Sequence, residues 1–266
     1  MRILTYNVHG LPWSRNQSPA IVRYISHIRP DVLCFQEVFT NKLRDYFSTE
    51  LPKYGYTVVS PRDEGVALLG SGLLIAFTAE YTLLSSCFYP YTMYHDIEIG
   101  ANKGFQTVRI RGPGGRRYVI ANTHVQSNTP FNILSFGTNT STIRKAQFEE
   151  LVRWLNPSRD PVIVAGDMNC EHSPCPSLRF LRDESLRKVT FPLTGENLDH
   201  VAWLPTQWAP LGASWCQFPK RGVRARSVRV DPVSYSDHFP VLVELIIPEI
   251  HRQQQGECGE ARPSGV

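Results

Sequence analysis

The fold of this chain is most constrained by a set of polar residues that each lie next to a short apolar run. Between residues 7 and 238 the set holds two histidines, three carboxylates and two carboxamides: Asn7, Glu37, His124, Asp167, Asn169, Asp237 and His238. Strands of a sheet can carry side chains to a common edge, so the pattern predicts a β-rich fold with these groups gathered at one edge.

The residue types indicate a chemistry. Carboxylate and carboxamide oxygens suit Mg²⁺, with Mn²⁺ as an alternative, better than they suit Zn²⁺. Histidines near carboxylates suit proton transfer to and from phosphate oxygens. The residues therefore predict a metal-dependent phosphodiesterase.

Composition bounds the domain organisation and the substrate charge. The chain has 266 residues, 42% of them apolar, and a formal net charge of +4. We expect one domain over residues 1–250 and a polar, disordered tail over residues 251–266. The positive charge favours an anionic substrate, but it does not distinguish nucleic acid from a phospholipid headgroup at a membrane surface.

Cysteine usage and the first strand bear on the cellular compartment. The six cysteines form no CxxC pair, which favours reduced thiols. The first predicted strand begins at Arg2, which leaves no room for a signal peptide, and no apolar run approaches the ~20 residues of a transmembrane helix. We expect an intracellular monomer, soluble or peripheral to a membrane.

The apolar periodicity predicts many strands and few helices. One helix is predicted to start at Ser18, as N-cap, with Pro19 in its first turn and Pro30 ending it, and another to run from about Thr142 to Leu155. The strand candidates are residues 2–6, 31–36, 55–60, 72–77, 81–86, 106–111, 118–123, 161–165, 198–204, 222–230 and 240–246. Many strands with few helices between them predict two packed sheets with helices outside.

Several of the polar residues have a simpler alternative. Asn7 and Glu37 are expected within one cation's reach, although a lone Asn after a strand is usually a turn former. The spacing of Asp167 and Asn169 predicts both side chains on one side of an extended segment, with an Asx turn as the alternative. Asp199 is a candidate to orient His238, or a hydrogen-bonding group at a strand start.

A basic strand over residues 222–230 leaves the substrate class open. Arg224, Arg226 and Arg229 predict either a solvated sheet edge or a surface for DNA, RNA or a membrane.

The ordered motifs resemble those of the endonuclease/exonuclease/phosphatase superfamily, over about residues 2–246. The segments that carry the resemblance are 6–8, 36–38, 71–73, 122–124, 166–169, 198–199 and 236–238. The resemblance implies a DNase-I-like, four-layer α/β/β/α sandwich of two mostly antiparallel sheets flanked by helices. It also implies a Mg²⁺ held chiefly by Glu37 with Asn7 nearby, and in-line attack of water on a phosphate ester.

Within that superfamily the chain is similar to neutral sphingomyelinases of the bacterial type. The segments Asn102–Phe105, Thr123–Ser127 and Tyr235–Val241 carry this similarity. It implies hydrolysis of sphingomyelin to ceramide and phosphocholine. The hydrophobic hairpin that secreted sphingomyelinases insert into membranes has no clear equivalent between Leu204 and Tyr235.

The resemblance assigns a role to each candidate residue. The metal ligands are Asn7, Glu37 and Asp237. The catalytic residues are His238, which activates water and is oriented by Asp199 or Asp237; His124 and Asn169, which hold the phosphoryl oxygens; and Asp167, which sets the water or the metal. Lys103 contacts the substrate phosphate.

Two other functions stay open. One is a nuclease or tyrosyl-DNA-type phosphodiesterase of the same superfamily, which the basic strand favours. The other is an inactive scaffold that binds nucleic acid or phosphoinositide, which the intact set of polar residues argues against.

Overall fold

A computed structural model describes most of the chain in two six-stranded sheets, one two-stranded sheet and three α-helices. The described residues are 1–15, 17–61, 69–94, 100–128, 139–169, 182–183, 198–203, 206–211, 214–219 and 223–247. The helices are α1 (Ser18–Ile28), α2 (Asn41–Glu50) and α3 (Thr140–Leu155), and short 3₁₀ turns lie at Leu51–Tyr54 and Pro113–Gly115. The strands are β1 (Arg2–Asn7), β2 (Val32–Gln36), β3 (Tyr56–Val59), β4 (Leu74–Thr78), β5 (Thr82–Pro90), β6 (Gly104–Arg111), β7 (Arg117–His124), β8 (Val162–Asp167), β9 (Arg182–Asp183), β10 (Asp199–Trp203), β11 (Thr206–Leu211), β12 (Ser214–Pro219), β13 (Arg224–Val230) and β14 (Val241–Ile246).

The strands form two six-stranded sheets of matching design. The first sheet has the order β13-β14-β1-β2-β4-β3 and the second the order β5-β6-β7-β8-β10-β9. Among the described strands each sheet contains one parallel pair, β1 with β2 and β7 with β8, and its other pairs are antiparallel. The predicted fold class, two mostly antiparallel sheets in an α/β sandwich, is confirmed.

Alternating side chains place each sheet between two apolar layers. Ile3 of β1 and Ile120 of β7 belong to a core cluster shared by both sheets. Leu4 of β1 faces the other way and shares a cluster with Ile25 of α1 and Phe47 of α2. On the second sheet, residues of α3 such as Phe148, Leu151 and Leu155 pack with β7 and β8 in a third cluster. Burial on both faces of each sheet produces the four layers.

The helices depart from prediction at two points. Ser18 is the first residue of α1 rather than its N-cap; Gln17 occupies the cap without a side-chain hydrogen bond. Helix α2 was not predicted, because it is mostly polar and Phe47 is its one buried residue. Its start is fixed instead by Thr40, whose side chain accepts a hydrogen bond from the Leu43 N–H at 3.2 Å.

A second correction concerns the region between β10 and β13. No strand was predicted over 206–219, and the long hydrophobic hairpin of secreted sphingomyelinases was expected to have no clear equivalent there. The structure has an antiparallel hairpin of β11 and β12, with Thr206 opposite Pro219 and Leu211 opposite Ser214. The predicted tail, residues 251–266, lies outside the described residues. No helix in the described part of the chain is long and apolar enough to cross a membrane.

A buried carboxamide pair joins the two sheets. The Gln36 side chain in β2 donates to Asn122 Oδ1 in β7 at 2.7 Å, and Asn122 Nδ2 donates to the carbonyls of Phe35 at 2.8 Å and Leu74 at 3.2 Å. Both carboxamides are fully buried. The pair fixes the end of β2 against β7, one residue before Glu37 and two before His124.

We expect Asn122→Ala to lower the free energy of unfolding by about 3 kcal/mol, because it leaves buried polar groups without partners. Urea denaturation measures this. The control Asn41→Ala, at an exposed position in the first turn of α2, should stay within about 0.5 kcal/mol of wild type. Equal effects of the two changes would contradict a cross-sheet role for Asn122.

Candidate active site

The two parallel strand pairs bring the candidate residues together. In the first sheet Asn7, the last residue of β1, lies opposite Gln36, and Glu37 follows directly. In the second sheet His124 of β7 lies opposite Asp167 of β8. A Cβ on Gly166 would come within 1.9 Å of the Thr123 carbonyl oxygen, so the glycine permits this close approach of β7 and β8.

Asn7 connects the polar ends of the two sheets. Its Nδ2 donates to Glu37 Oε1 at 2.9 Å and to Asp167 Oδ2 at 3.0 Å. Its Oδ1 accepts from the His9 backbone N–H at 3.0 Å. The side chain thus holds one carboxylate from each sheet.

The donor set around Asn7 fits a divalent cation. Ligand atoms of Glu37, His124 and Asp167 all lie within 4.8 Å of one another. Glu37 Oε2 is buried and has no hydrogen-bond partner among the described residues. A buried carboxylate oxygen without a hydrogen bond is costly, and a bound cation would satisfy it.

A second cluster lies beside the first and shares Asp167. His238 Nδ1 is 2.7 Å from Asp199 Oδ2, and His238 Nε2 is 3.7 Å from Asp167 Oδ2. Asp199 of β10 lies opposite Asp167 in the sheet register. The loop that carries His238 is anchored by Ser236, whose hydroxyl donates to the Asn7 carbonyl at 2.7 Å.

Burial and neighbouring charges shift the pKa values of these groups in different directions. Burial by itself lowers the pKa of His238, but Asp199, Asp167 and Asp237 outweigh it and raise the pKa to about 10. Burial raises the pKa of Asp167 to about 7, although His238 opposes the shift. Burial, reinforced by the positive charges of Lys103 and His238, holds the pKa of His124 well below its usual range.

Sequence reasoning missed His9. Its Nδ1 lies 3.0 Å from Asp237 Oδ2 and 3.8 Å from Glu37 Oε2. The hydrogen bond to Asp237 raises the pKa of His9. Asp237, predicted as a metal ligand or as the partner of His238, contacts His9 and is not part of either three-residue cluster. The one signal for His9 was its place two residues after Asn7.

Lys103 and Asn169 meet on the carbonyl of Val125, directly after His124. Lys103 Nζ donates to this oxygen at 3.1 Å and Asn169 Nδ2 at 3.0 Å. The Asn169 N–H also donates to Asp167 Oδ1 at 3.0 Å. With a φ of 46° at Asn169, the segment is an Asx turn rather than the extended chain that the spacing predicted.

Backbone strain is concentrated at the site. Four of the described non-glycine residues have positive φ, and three of them are His9 (48°), Glu37 (59°) and Asn169 (46°). The fourth, Arg29, ends α1. Such conformations cost about 1–3 kcal/mol each and persist where the surrounding structure holds a functional group in place.

The arginines of β13 are partly neutralised. Arg226 lies 3.2 Å from Glu244 and Arg229 lies 2.8 Å from Asp231. This favours the solvated sheet edge over a surface for a polyanion.

Comparisons with known proteins agree with this architecture. A family model described as "Endonuclease/Exonuclease/phosphatase family" matches residues 4–238. No curated protein sequence matches the chain.

Among solved structures, sphingomyelinase C from Streptomyces griseocarneus is 17% identical with a TM-score of 0.64, over 91% of this chain and 98% of that one. A beta toxin variant from Staphylococcus aureus with bound magnesium ions is 16% identical with a TM-score of 0.66, over 91% and 98%. TDP2 from D. rerio, in complex with a single-strand DNA product, is 14% identical with a TM-score of 0.67, over 92% and 98%. At these identities the likeness concerns the fold.

The carboxylates around His238 predict a pH dependence of stability in EDTA. The pKa of His238 rises from its ordinary 6.5 to about 10 on folding. Its contribution is therefore fully present below pH 6.5 and is lost as the pH rises toward 10. Denaturant titrations should show this loss in wild type and a flatter dependence in Asp199→Asn.

The control Asp160→Asn removes a buried carboxylate that pairs with Arg109 and Arg117. Arginine does not titrate in this range, so the variant should lose stability without a change in slope. The same slope in wild type and Asp199→Asn would contradict the account.

Proposed function

Because the chain belongs to the endonuclease/exonuclease/phosphatase family, we propose that it is a Mg²⁺-dependent phosphodiesterase, with Mn²⁺ as an alternative ion. The observation that carries the proposal is the cluster of Glu37, His124 and Asp167, formed where the parallel pairs of the two sheets end. Glu37 is the principal ligand and Asn7 assists it. When bound, the cation supplies positive charge for a phosphate oxygen.

The protein's own residues position the substrate and move the proton. Lys103 and Asn169 lie beside His124 through the shared Val125 carbonyl, and we assign these three to the phosphoryl oxygens. Hydrogen bonds that strengthen as charge grows on those oxygens lower the barrier. Asp167, which contacts both histidines, orients the attacking water or shares in metal binding.

His238 is assigned to activate the water. The contact between Asp199 and Nδ1 fixes the orientation of the imidazole, so that Nε2 is directed toward the reacting groups. A pKa of about 10 keeps His238 protonated at neutral pH as long as no bound cation offsets the charge of the surrounding carboxylates. Positive charge among those carboxylates lowers the pKa of His238 toward the range in which it accepts a proton.

For the substrate we propose a sphingomyelinase-like reaction, sphingomyelin to ceramide and phosphocholine, at a membrane surface. The support is Lys103. It is 4% exposed, it contacts the residue after His124, and its charge contributes to lowering the pKa of His124. One buried cation at the phosphate suits a substrate with a single phosphate. We propose that the protein associates with the membrane at its surface.

A nuclease or tyrosyl-DNA-type phosphodiesterase is the second candidate. The observation in its favour is the similar fold of a TDP2 structure that holds single-strand DNA. The ion pairs of Arg226 and Arg229 count against it, since a polyanion draws on several free cations.

Glu37→Gln keeps the shape of the side chain and removes its charge. We expect Mg²⁺ affinity by calorimetry to fall at least about tenfold and turnover by about 10²-fold or more. The matched control Glu50→Gln, whose carboxylate pairs with Lys53 on the surface, should leave both unchanged. Unaltered Mg²⁺ affinity in Glu37→Gln would rule out Glu37 as the principal ligand.

Lys103→Ala tests the substrate class. If the Lys103 ammonium binds a single substrate phosphate, Lys103→Ala should lower activity on sphingomyelin vesicles by about 10²-fold, while Arg226→Ala should have little effect. A nuclease would reverse this ranking and show steep salt dependence on DNA. The sphingomyelinase assignment fails if the wild type degrades DNA in that manner and leaves sphingomyelin intact with Mg²⁺ present.

A further inference from the structure

We propose that a cavity beside the candidate active site binds the phosphate of a neighbouring anionic phospholipid and docks the protein on the bilayer. The inference rests on the proposed function, which requires a lipid surface, and it assigns that surface to named residues. The cavity is about 310 Å³ and lies between the β1–α1 segment and the first turns of α1 and α2.

The cavity lies beside the candidate active site. His9 lines the cavity and also contacts Asp237 and Glu37 of the site. A second, smaller cavity, of about 170 Å³, is lined by His9, Arg15 and Asp237 and lies along the same edge. A lipid held in the larger cavity would therefore lie next to the lipid being hydrolysed.

The charge of the cavity selects an anion. Among the described residues its lining contains Arg15, Lys42 and His9 and no Asp or Glu. Arg15 and Lys42 are exposed and form no ion pair within the described part of the chain. The Ser14 hydroxyl also lines the cavity, and its oxygen is buried without a hydrogen-bond partner among the described residues. The first turns of α1 and α2 hold no acidic residue that would repel an anion.

Apolar features at the cavity favour a lipid over a nucleic acid. Its walls include Leu11, Ile21 and Leu43. Trp13 lies between the lining residues Pro12 and Ser14 and is 77% exposed, more than the other exposed large hydrophobic residues described. Tryptophan favours the interface between water and lipid, and cations beside it attract anionic headgroups. Together they describe a docking edge with an apolar anchor and a phosphate site.

The test is vesicle binding in EDTA, without sphingomyelin, by co-sedimentation. Vesicles of phosphatidylcholine with roughly one-third phosphatidylserine should bind the wild type, and the double variant Arg15→Glu/Lys42→Glu should bind at least about tenfold more weakly. Trp13→Ala should weaken binding by about threefold or more. Circular dichroism and thermal melts establish that each variant is folded.

Matched controls separate the cavity from general surface properties. Lys53→Glu/Lys145→Glu reverses the same net charge at exposed positions outside the cavity, and Trp154→Ala removes a tryptophan that is 56% exposed on α3. Both should bind vesicles nearly as wild type does. Losses in the controls equal to those in the cavity variants would overturn the proposal.

Three further outcomes are decisive. If Arg15→Glu/Lys42→Glu loses binding to a duplex oligonucleotide but not to vesicles, the cavity serves nucleic acid and the lipid proposal is wrong. If the wild type hydrolyses sphingomyelin but its vesicle binding does not depend on the cavity, this inference alone fails. Cavity-dependent vesicle binding without sphingomyelin hydrolysis would support the docking edge and contradict the proposed reaction instead.

Discussion

The candidate site depends on one carboxamide that holds carboxylates from both sheets. Asn7 donates one hydrogen bond to Glu37 and one to Asp167, at 2.9 and 3.0 Å. The contact is possible because β1 with β2 and β7 with β8 are parallel pairs, so that two strand ends from each sheet meet at the same edge. The Gln36–Asn122 pair holds the same strand ends from behind. Both contacts hold the two halves of the site together.

The site concentrates negative charge that the metal-free protein only partly offsets. His238 is held cationic by Asp199 and Asp167, and burial disfavours a charge on Asp167 itself. Glu37 lies in a strained backbone conformation with one carboxylate oxygen lacking a hydrogen bond among the described residues. Strain and unsatisfied charge at one point are expected where a ligand completes the structure. A divalent cation would stabilise this arrangement.

Much of the fold was predictable because buried strands leave a direct pattern in sequence, and polar residues at strand ends stand out against it. The contact between Asp199 and His238, present at 2.7 Å, was one of two alternatives that the sequence left open for Asp199. Helix α2 was not, since its polar sequence has little apolar periodicity and its start depends on Thr40. His9 could not be assigned from sequence, because its role comes from contacts with Asp237 and Glu37, 228 and 28 residues away in the chain.

Binding of a divalent cation between the two sheets is tested most directly by anomalous scattering from crystals grown with Mn²⁺. The strongest protein-bound peak is predicted to lie among the carboxylates of Glu37 and Asp167, with His124 beside it, and to vanish in Glu37→Gln. A peak that persists in that variant, or a strongest peak elsewhere on the protein, would contradict the claim.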